Sequence, residues 1–373
     1  MPDILEFCDA ERPWLMDTIA ALVRHESPSD DKAAVDRCGD DLAGRLAEIG
    51  GRVTRLPRSS RGDHLRAEFG TGQRQVLVLG HIDTVWKVGQ LRPMPLVEQN
   101  GRLHGPGVFD MKSGIAVAML AMRALAGKAA PKVVMLWTTD EEVGSGTSRQ
   151  AIEDEARRSA AVLVLEPSLP GGAVKTSRKG CGEFELTVHG VAAHAGLDPG
   201  KGASAILELA HQIIAIHGIQ DPSGGISTNV GVVAGGTRAN VVAAEARATI
   251  DVRVPAMADV TRVEQALRGL TPRLDGTRLE LSGGVDRPPL ERSAGVIRLY
   301  EAARAVAADL GRELGEGSTG GGSDGNFTAA LGVPTLDGLG PSGDGAHALH
   351  EHVIVADLTW RAALVAGLIA RLQ

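Results

Sequence analysis

The pattern that most restricts this chain is a series of short apolar runs, each of strand length, separated by stretches of helical periodicity. Gln75–Leu79, Lys132–Thr138 and Ala161–Leu165 are such runs, rich in Val and Leu and bounded by turn residues. Strands covered on both faces lose the alternation of half-exposed ones, so unbroken apolar runs suit the centre of a parallel sheet. Around them the periodicity predicts helices near Phe7–Val23, Asp31–Ile49, Lys112–Ala126 and Thr147–Arg158. Strand and helix in alternation predict an α/β fold with a largely parallel sheet.

The middle of the chain changes pattern. Glu183–His189 alternates like a half-exposed strand, and Ala203–His217 reads as a helix. Strands follow at Ser227–Ala234 and Val241–Val254, then a helix at Asp259–Leu270 and a strand at Thr277–Gly283. That order, β-α-β-β-α-β, is a split-βαβ unit. After Arg287-Pro-Pro the first pattern returns: a helix at Ala294–Leu310, a glycine-rich loop at Gly315–Gly325, a strand near Val333–Leu336 and a closing helix at Leu358–Leu372. Since 373 residues exceed what one core usually organises, we expect two domains. Residues 1–178 and 288–373 would form one, with 179–287 inserted as the other.

Charge and composition exclude several classes. A net charge of −7 argues against nucleic acid as a partner. No apolar run reaches membrane-spanning length, and the first residues lack a basic stretch followed by an apolar one, so a cytoplasmic protein is expected. Cys8, Cys38 and Cys181 are widely separated and read as reduced thiols.

Histidines and acids recur at the C-terminal ends of the predicted strands, where ligands bind in open α/β sheets. Gly80-His81-Ile-Asp83-Thr follows the first run. His81 can offer a ring nitrogen to a metal, and Asp83 can fix its tautomer through the other nitrogen. In Gly105-Pro-Gly-Val-Phe-Asp110-Met-Lys, Asp110 can cap the next helix, approach a ligand, or do both. Asp140-Glu141-Glu142 ends the second run. Three successive carboxylates repel one another unless a cation lies between them or water solvates the turn. One glutamate can bind metal while its neighbour serves as a base. Glu166 ends the third run, and His347, His350 and His352 close the set, with spacing alone not choosing among them. Histidines plus carboxylates suit zinc or cobalt. Gly320-Gly-Gly-Ser-Asp-Gly lacks the Lys-Ser/Thr of a phosphate loop; it reads as a site-lining loop whose Asp324 caps the following helix.

Taken in order from Gly80 to Glu351, these clusters resemble the di-zinc peptidases and deacylases that include carboxypeptidase G, the bacterial tripeptidases, acetylornithine deacetylase and succinyl-diaminopimelate desuccinylase. The resemblance implies a zinc-peptidase-like mixed sheet flanked by helices, with an inserted ferredoxin-like α+β dimerisation domain and a homodimer formed through it. It implies that His81 and Glu166 bind one metal, Glu142 and His347 the other, and that Asp110 bridges them. The metals would be zinc, with cobalt and manganese as the other candidates. Of the family's pattern Gly-x-x-His-x-x-x-Glu, the His-x-x-x-Glu part selects His347, followed by Glu351, while Asp344 stands where the glycine would be. Glu141 matches the catalytic glutamate and Asp83 the acid behind His81, and the Asp110–Met111 peptide would be cis. His194 matches a histidine that reaches the partner subunit's site, Asn240 a substrate-binding asparagine, and Arg287 an arginine that grips a substrate carboxylate.

The implied activity is hydrolysis of a peptide or amide bond by a metal-bridging hydroxide. A C-terminal amino acid, glutamate foremost, would be released from a small molecule or short peptide with a free carboxylate. N-acyl-amino-acid deacylation of the acetylornithine or succinyl-diaminopimelate type is the alternative. One departure bears on glutamate: the carboxypeptidase G branch has a lysine shortly after the Glu166 position, whereas Lys175 here is out of register, leaving Arg178 or Lys179 as substitutes.

Overall fold

The computed structural model describes residues 2–128 and 130–372. The chain divides into two compact units: Met1–Ser177, Arg292–Thr319 and Ser323–Gln373 in the first, Arg178–Glu291 and Gly320–Gly322 in the second. The inserted segment thus begins at Arg178 and ends at Glu291, and the glycine-rich loop contributes three residues to it. Among the described residues no helix is long and apolar enough to cross a membrane. Cys8, Cys38 and Cys181 are free thiols.

The first unit is built on a six-stranded mixed sheet. Its order is Arg52–Leu56, His64–Phe69, Lys132–Thr138, Gln75–His81, Ala161–Val164, Thr335–Leu336. The last four are parallel, and Gln75–His81 is buried at every residue, as its unbroken apolar run requires. The first two are antiparallel and were not foreseen. They carry Arg, Thr, His and Glu, and the outermost is mostly exposed, so no apolar run marks them. The helix expected over Phe7–Val23 is two, Pro2–Ala10 and Arg12–Arg24. Pro13 has no N–H to continue a helix but suits the first turn of a new one. Helices Ser113–Ala124 and Leu358–Arg371 pack together and are nearly all buried, with Met119, Leu120, Leu364 and Leu368 wholly enclosed.

A second small sheet is likewise unmarked in the sequence. Its strands are two or three residues long, in the order Gly343–Asp344, His352–Ile354, Arg102–His104, Val97–Gln99. His352 pairs with His104, so the segment leading into Asp110 is fastened to the ends of the loop carrying His347. The glycine-rich loop expected over Gly315–Gly325 begins as a strand, Glu316–Thr319, paired with Val174–Arg178.

The second unit is an antiparallel four-stranded sheet in the order Ser227–Gly235, Glu245–Val254, Gly180–His189, Arg278–Arg287. Helices Ala205–His217 and Met257–Arg268 complete the β-α-β-β-α-β sequence. Phe184, Leu186, Val188, Ile250 and Val252 alternate inward from the strands onto Leu209, Ile216, Val263 and Leu267 of the helices. This is the ferredoxin-like arrangement anticipated for the insert.

Candidate metal centre

Three parallel strands end together and deliver the first residues of the site. His81 is the last residue of Gln75–His81, Asp140–Glu142 follow Lys132–Thr138 after Thr139, and Glu166 lies two residues past Ala161–Val164. Close backbone packing holds this rim. A side-chain carbon on Gly114 or on Gly340 would each come within 2.1 Å of the Leu165 carbonyl oxygen, so both positions require glycine.

The loop Gly105–Asp110 is held by Glu351, a fully buried carboxylate. It accepts hydrogen bonds from the amides of Gly107 (2.9 Å), Phe109 (2.8 Å) and Asp110 (3.0 Å) and from the Trp86 indole (2.8 Å). The Asp110–Met111 peptide is cis. Lys112, also buried, donates to the carbonyls of Leu22 and His25 at the end of the second helix.

Asp110 is shared between two histidines. Its Oδ1 lies 3.3 Å from His81 Nε2, and its Oδ2 lies 3.4 Å from His347 Nε2. Glu166 Oε1 is 3.4 Å from His81 Nε2, and Glu142 Oε2 is 3.1 Å from His347 Nε2. His81 and Glu166 therefore flank one oxygen of Asp110, and His347 and Glu142 the other. His347 adopts a left-handed backbone (φ 61°), which a non-glycine residue adopts at a cost on the order of 1 kcal/mol. Neither His350 nor His352 joins the group: His350 is exposed, and His352 stacks at 5.2 Å on His104.

Behind this group the second row is formed by Asp83. His81 Nδ1 donates to the Asp83 carbonyl at 2.9 Å, with the carboxylate 3.5 Å away. Asp83 thus engages Nδ1 through its main-chain oxygen and, at longer range, its carboxylate, and leaves Nε2 facing the other carboxylates. The Asp83 carboxylate accepts from Ser29 Oγ (2.7 Å) and from the amides of Glu141 and Glu142 (3.3 Å each). Asp140 turns away from its neighbours: its Oδ2 accepts from the amide and hydroxyl of Thr147, whose hydroxyl also meets buried His64. The acidic triplet thus divides its charges instead of stacking them. Ser29, His64 and the work of Glu351 went unread in the sequence, because their partners lie far away in the chain; Glu351 was marked only by its place four residues after His347.

The electrostatics call for positive charge among these carboxylates. Burial opposes a charge on His81, but Asp110, Asp83 and Glu166 outweigh it and hold the imidazole protonated well above its ordinary range. Asp110 and Glu142 lift His347 to about 10. For Asp110 burial is overcome by His347 and His81, which draw it far below the usual carboxylate range. Glu142 goes the other way, pushed up by burial despite His347.

Whether a pair of divalent cations fits can be judged from the donors. Glu142 Oε1 is buried and has no hydrogen-bond partner, an uncommon and costly condition for a carboxylate oxygen. One ligand atom each from His81, Asp110 and Glu142 lies within 4.8 Å of the others. Imidazole and carboxylate are donors that zinc accepts, and binding would displace the imidazole protons. The residues fit.

The remaining candidates belong to the second unit. His194 is exposed, its Nδ1 accepting from the amides of Gly196 and Leu197 at 3.1 Å, in the manner of a turn residue. Asn240 is exposed and gives its carbonyl to Ala195 N, while Arg287 is buried at the end of its strand. A side-chain carbon on Gly322 would meet Arg287 Cδ at 2.7 Å, so the glycine loop lies directly against this arginine. Lys175 is buried in the first unit, its backbone paired with Asp337. Arg178 donates to the carbonyls of Gly321 and Gly322.

Comparison with known proteins gives the family. The model of Peptidase family M20/M25/M40 matches residues 77–371. Carboxypeptidase G2 of Pseudomonas sp. (strain RS-16) is 29% identical over 96% of this chain and 89% of its own length. Succinyl-diaminopimelate desuccinylase of Xanthomonas oryzae pv. oryzae (strain PXO99A) is 31% identical over 96% and 98%. Among solved structures, the aminopeptidase PepT of Bacillus cereus ATCC 10987 superposes with a TM-score of 0.81 at 22% identity, covering 96% of this chain and 98% of its own.

Proposed function

We propose, on the premise that this chain belongs to peptidase family M20/M25/M40 and so is a metal-dependent hydrolase of peptide or amide bonds, that it is a carboxypeptidase. It releases a C-terminal amino acid, glutamate foremost, from N-acyl or peptidyl substrates, as the likeness to carboxypeptidase G2 suggests. The observation that carries the reading is the division of Asp110 between His81 with Glu166 and His347 with Glu142. Four side chains from distant segments lie in two pairs around the one carboxylate of Asp110.

Two zinc ions held by those sets, with Asp110 between, would supply a water acidic enough to attack at neutral pH and would polarise the scissile carbonyl. Glu141 stands beside the ligand Glu142 in the chain. Its carboxylate takes the proton of the attacking water and returns it to the nitrogen of the departing amino acid. Arg287 pairs its planar fork with the substrate's free carboxylate, Asn240 assists, and His194 of a second subunit steadies the oxyanion. The homodimer forms through the second unit, whose edge strand exposes Val232 and Val233 and whose helix exposes Ile214, apolar groups of the kind a partner covers.

The decisive experiment is Glu141→Gln in the zinc-loaded protein. It is expected to keep its zinc and lose about 10³ in kcat on a peptidyl glutamate, within the usual range for a general base. Turnover near the parent's would remove Glu141 from that role. The second reading, N-acyl-amino-acid deacylation, has the 31% identity to a desuccinylase in its favour. Comparing peptidyl glutamates with N-acetyl and N-succinyl diamino acids separates the two.

A further inference from the structure

Asp324 was expected to cap the helix after the glycine-rich loop, and its side chain makes no such bond. It instead takes the Thr138 hydroxyl on Oδ2 at 2.9 Å and the Ser145 hydroxyl on Oδ1. All three residues are within 2% of complete burial. Thr138 and Ser145 lie at the two ends of one turn. Thr138 is the last residue of its strand, and Ser145 closes the turn by donating its amide to the Asp140 carbonyl at 2.7 Å. Between them sit Glu141 and Glu142.

The turn's own backbone hydrogen bonds, from Gly144 N to the Glu141 carbonyl at 3.0 Å and from Ser145 N to the Asp140 carbonyl, are joined by supports from outside it. Ser145 has a left-handed backbone (φ 59°), a conformation serine adopts only at some cost, and Gly144 is left-handed as well. Asp83 holds the amides of Glu141 and Glu142 from one side, through 3.3 Å contacts. A buried carboxylate bridging both ends holds the turn closed from the other, and its hydrogen bonds to two hydroxyls fix the separation of those ends.

We infer that Asp324 is a positioning residue, clamping the Thr138–Ser145 turn so that Glu142 reaches the metal group and Glu141 the scissile bond. The part concerning Glu141 rests on the hydrolase reading; the part concerning Glu142 is read out by metal affinity alone. A misplacement of about 1 Å in a catalytic group can cost on the order of 10²-fold in rate, and loss of an outer hydrogen bond about 10- to 100-fold in metal affinity, so a loosened clamp should be measurable.

The test removes the clamp from its hydroxyl side. Thr138→Val and Ser145→Ala, singly and together, are compared with the parent and with Asp324→Asn. Zinc affinity is measured by competition with a chromophoric chelator, and kcat and KM on a peptidyl glutamate are measured per zinc-loaded chain. The double variant is expected to bind zinc about tenfold more weakly. Its kcat should fall by about 10- to 100-fold while KM stays within about twofold, and Asp324→Asn, which keeps one acceptor, should lie between it and the parent. A folded double variant with the parent's zinc affinity and kcat would reduce Asp324 to a structural residue and overturn the inference. Should the double variant fail to fold, Thr138→Val alone, a near-isosteric change, decides the same question by the same two measurements. If the parent hydrolyses nothing but the variants still lose zinc affinity, the hydrolase reading falls and the clamp stands.

Discussion

Glu142 in the first unit and Glu208 in the second are both carboxylates withdrawn from solvent, and their surroundings treat them in opposite ways. Glu208 accepts from Gln212 Nε2 (2.6 Å), the amides of Arg273 (2.9 Å) and Leu274 (2.7 Å), and the Thr277 hydroxyl (3.2 Å). Those donors outweigh burial and hold its carboxyl below the ordinary range. Glu142 meets one imidazolium, leaves a buried oxygen without a partner and has its carboxyl pushed up. An acid that fastens a fold is surrounded by donors, as Glu208 and Glu351 are, although burial pushes the Glu351 carboxyl up as it does that of Glu142. An acid kept for a cation has room left on it. The number of donors around the carboxylate, and not the direction of its pKa or an orphaned oxygen alone, is what sets Glu142 apart from Glu208 and Glu351, since Asp140 Oδ1 is buried without a partner as well.

The strongest way to break this contrast is Glu142→Gln. A folded-state pKa raised above the unfolded value means that folding disfavours the charged form, so the neutral isostere should melt no lower than the parent when both are metal-free. Zinc affinity at that half of the site should meanwhile fall by at least about a hundredfold, the upper end for losing even an outer-shell partner. Zinc titration and thermal unfolding of the same two proteins decide the matter. Unchanged zinc binding, or a large loss of metal-free stability, would place Glu142 beside Glu208 as a structural acid.

What could be read from the sequence follows the same physics. The central strands were legible because burial on both faces demands unbroken apolar runs, and their ends directed attention to His81, Glu142 and Glu166. The insert was legible because half-exposed strands alternate. Long-range hydrogen bonds leave no such periodic mark. Glu351 sits more than two hundred positions from the amides it holds, and Asp324 nearly as far from Thr138 and Ser145, so a local rule assigned Asp324 to a helix cap that it does not make. Spacing alone did not separate His347 from His350 and His352 either. What isolates His347 in the structure is the short sheet that pairs His352 with His104 and leaves the preceding loop to approach Asp110 and Glu142.

Glu208→Gln sharpens the other side. The amide presents N–H groups to backbone amides that already point inward, leaving buried donors unpaired. A loss of about 3 kcal/mol in unfolding free energy is expected, with zinc affinity unchanged. Urea unfolding followed by circular dichroism measures it. Equal stability of variant and parent would show that the donors around Glu208 are satisfied otherwise.

The smallest effect is its pH dependence, and its sign is fixed. Glu208 has a folded-state pKa below the ordinary glutamate value of 4.5, so folding favours the carboxylate. The stabilisation is fully present above pH 4.5 and disappears as the pH falls through the depressed folded value, where the acid is protonated in both states. Glu208→Gln cannot protonate. The gap in stability between parent and variant should therefore be widest near pH 7 and narrow steadily below pH 4.5, which urea midpoints at pH 7, 5 and about 3.5 can follow. A gap that stayed constant would mean that the donors recognise the shape of the side chain and not its charge, and the comparison with Glu142 would then rest on hydrogen-bond count alone.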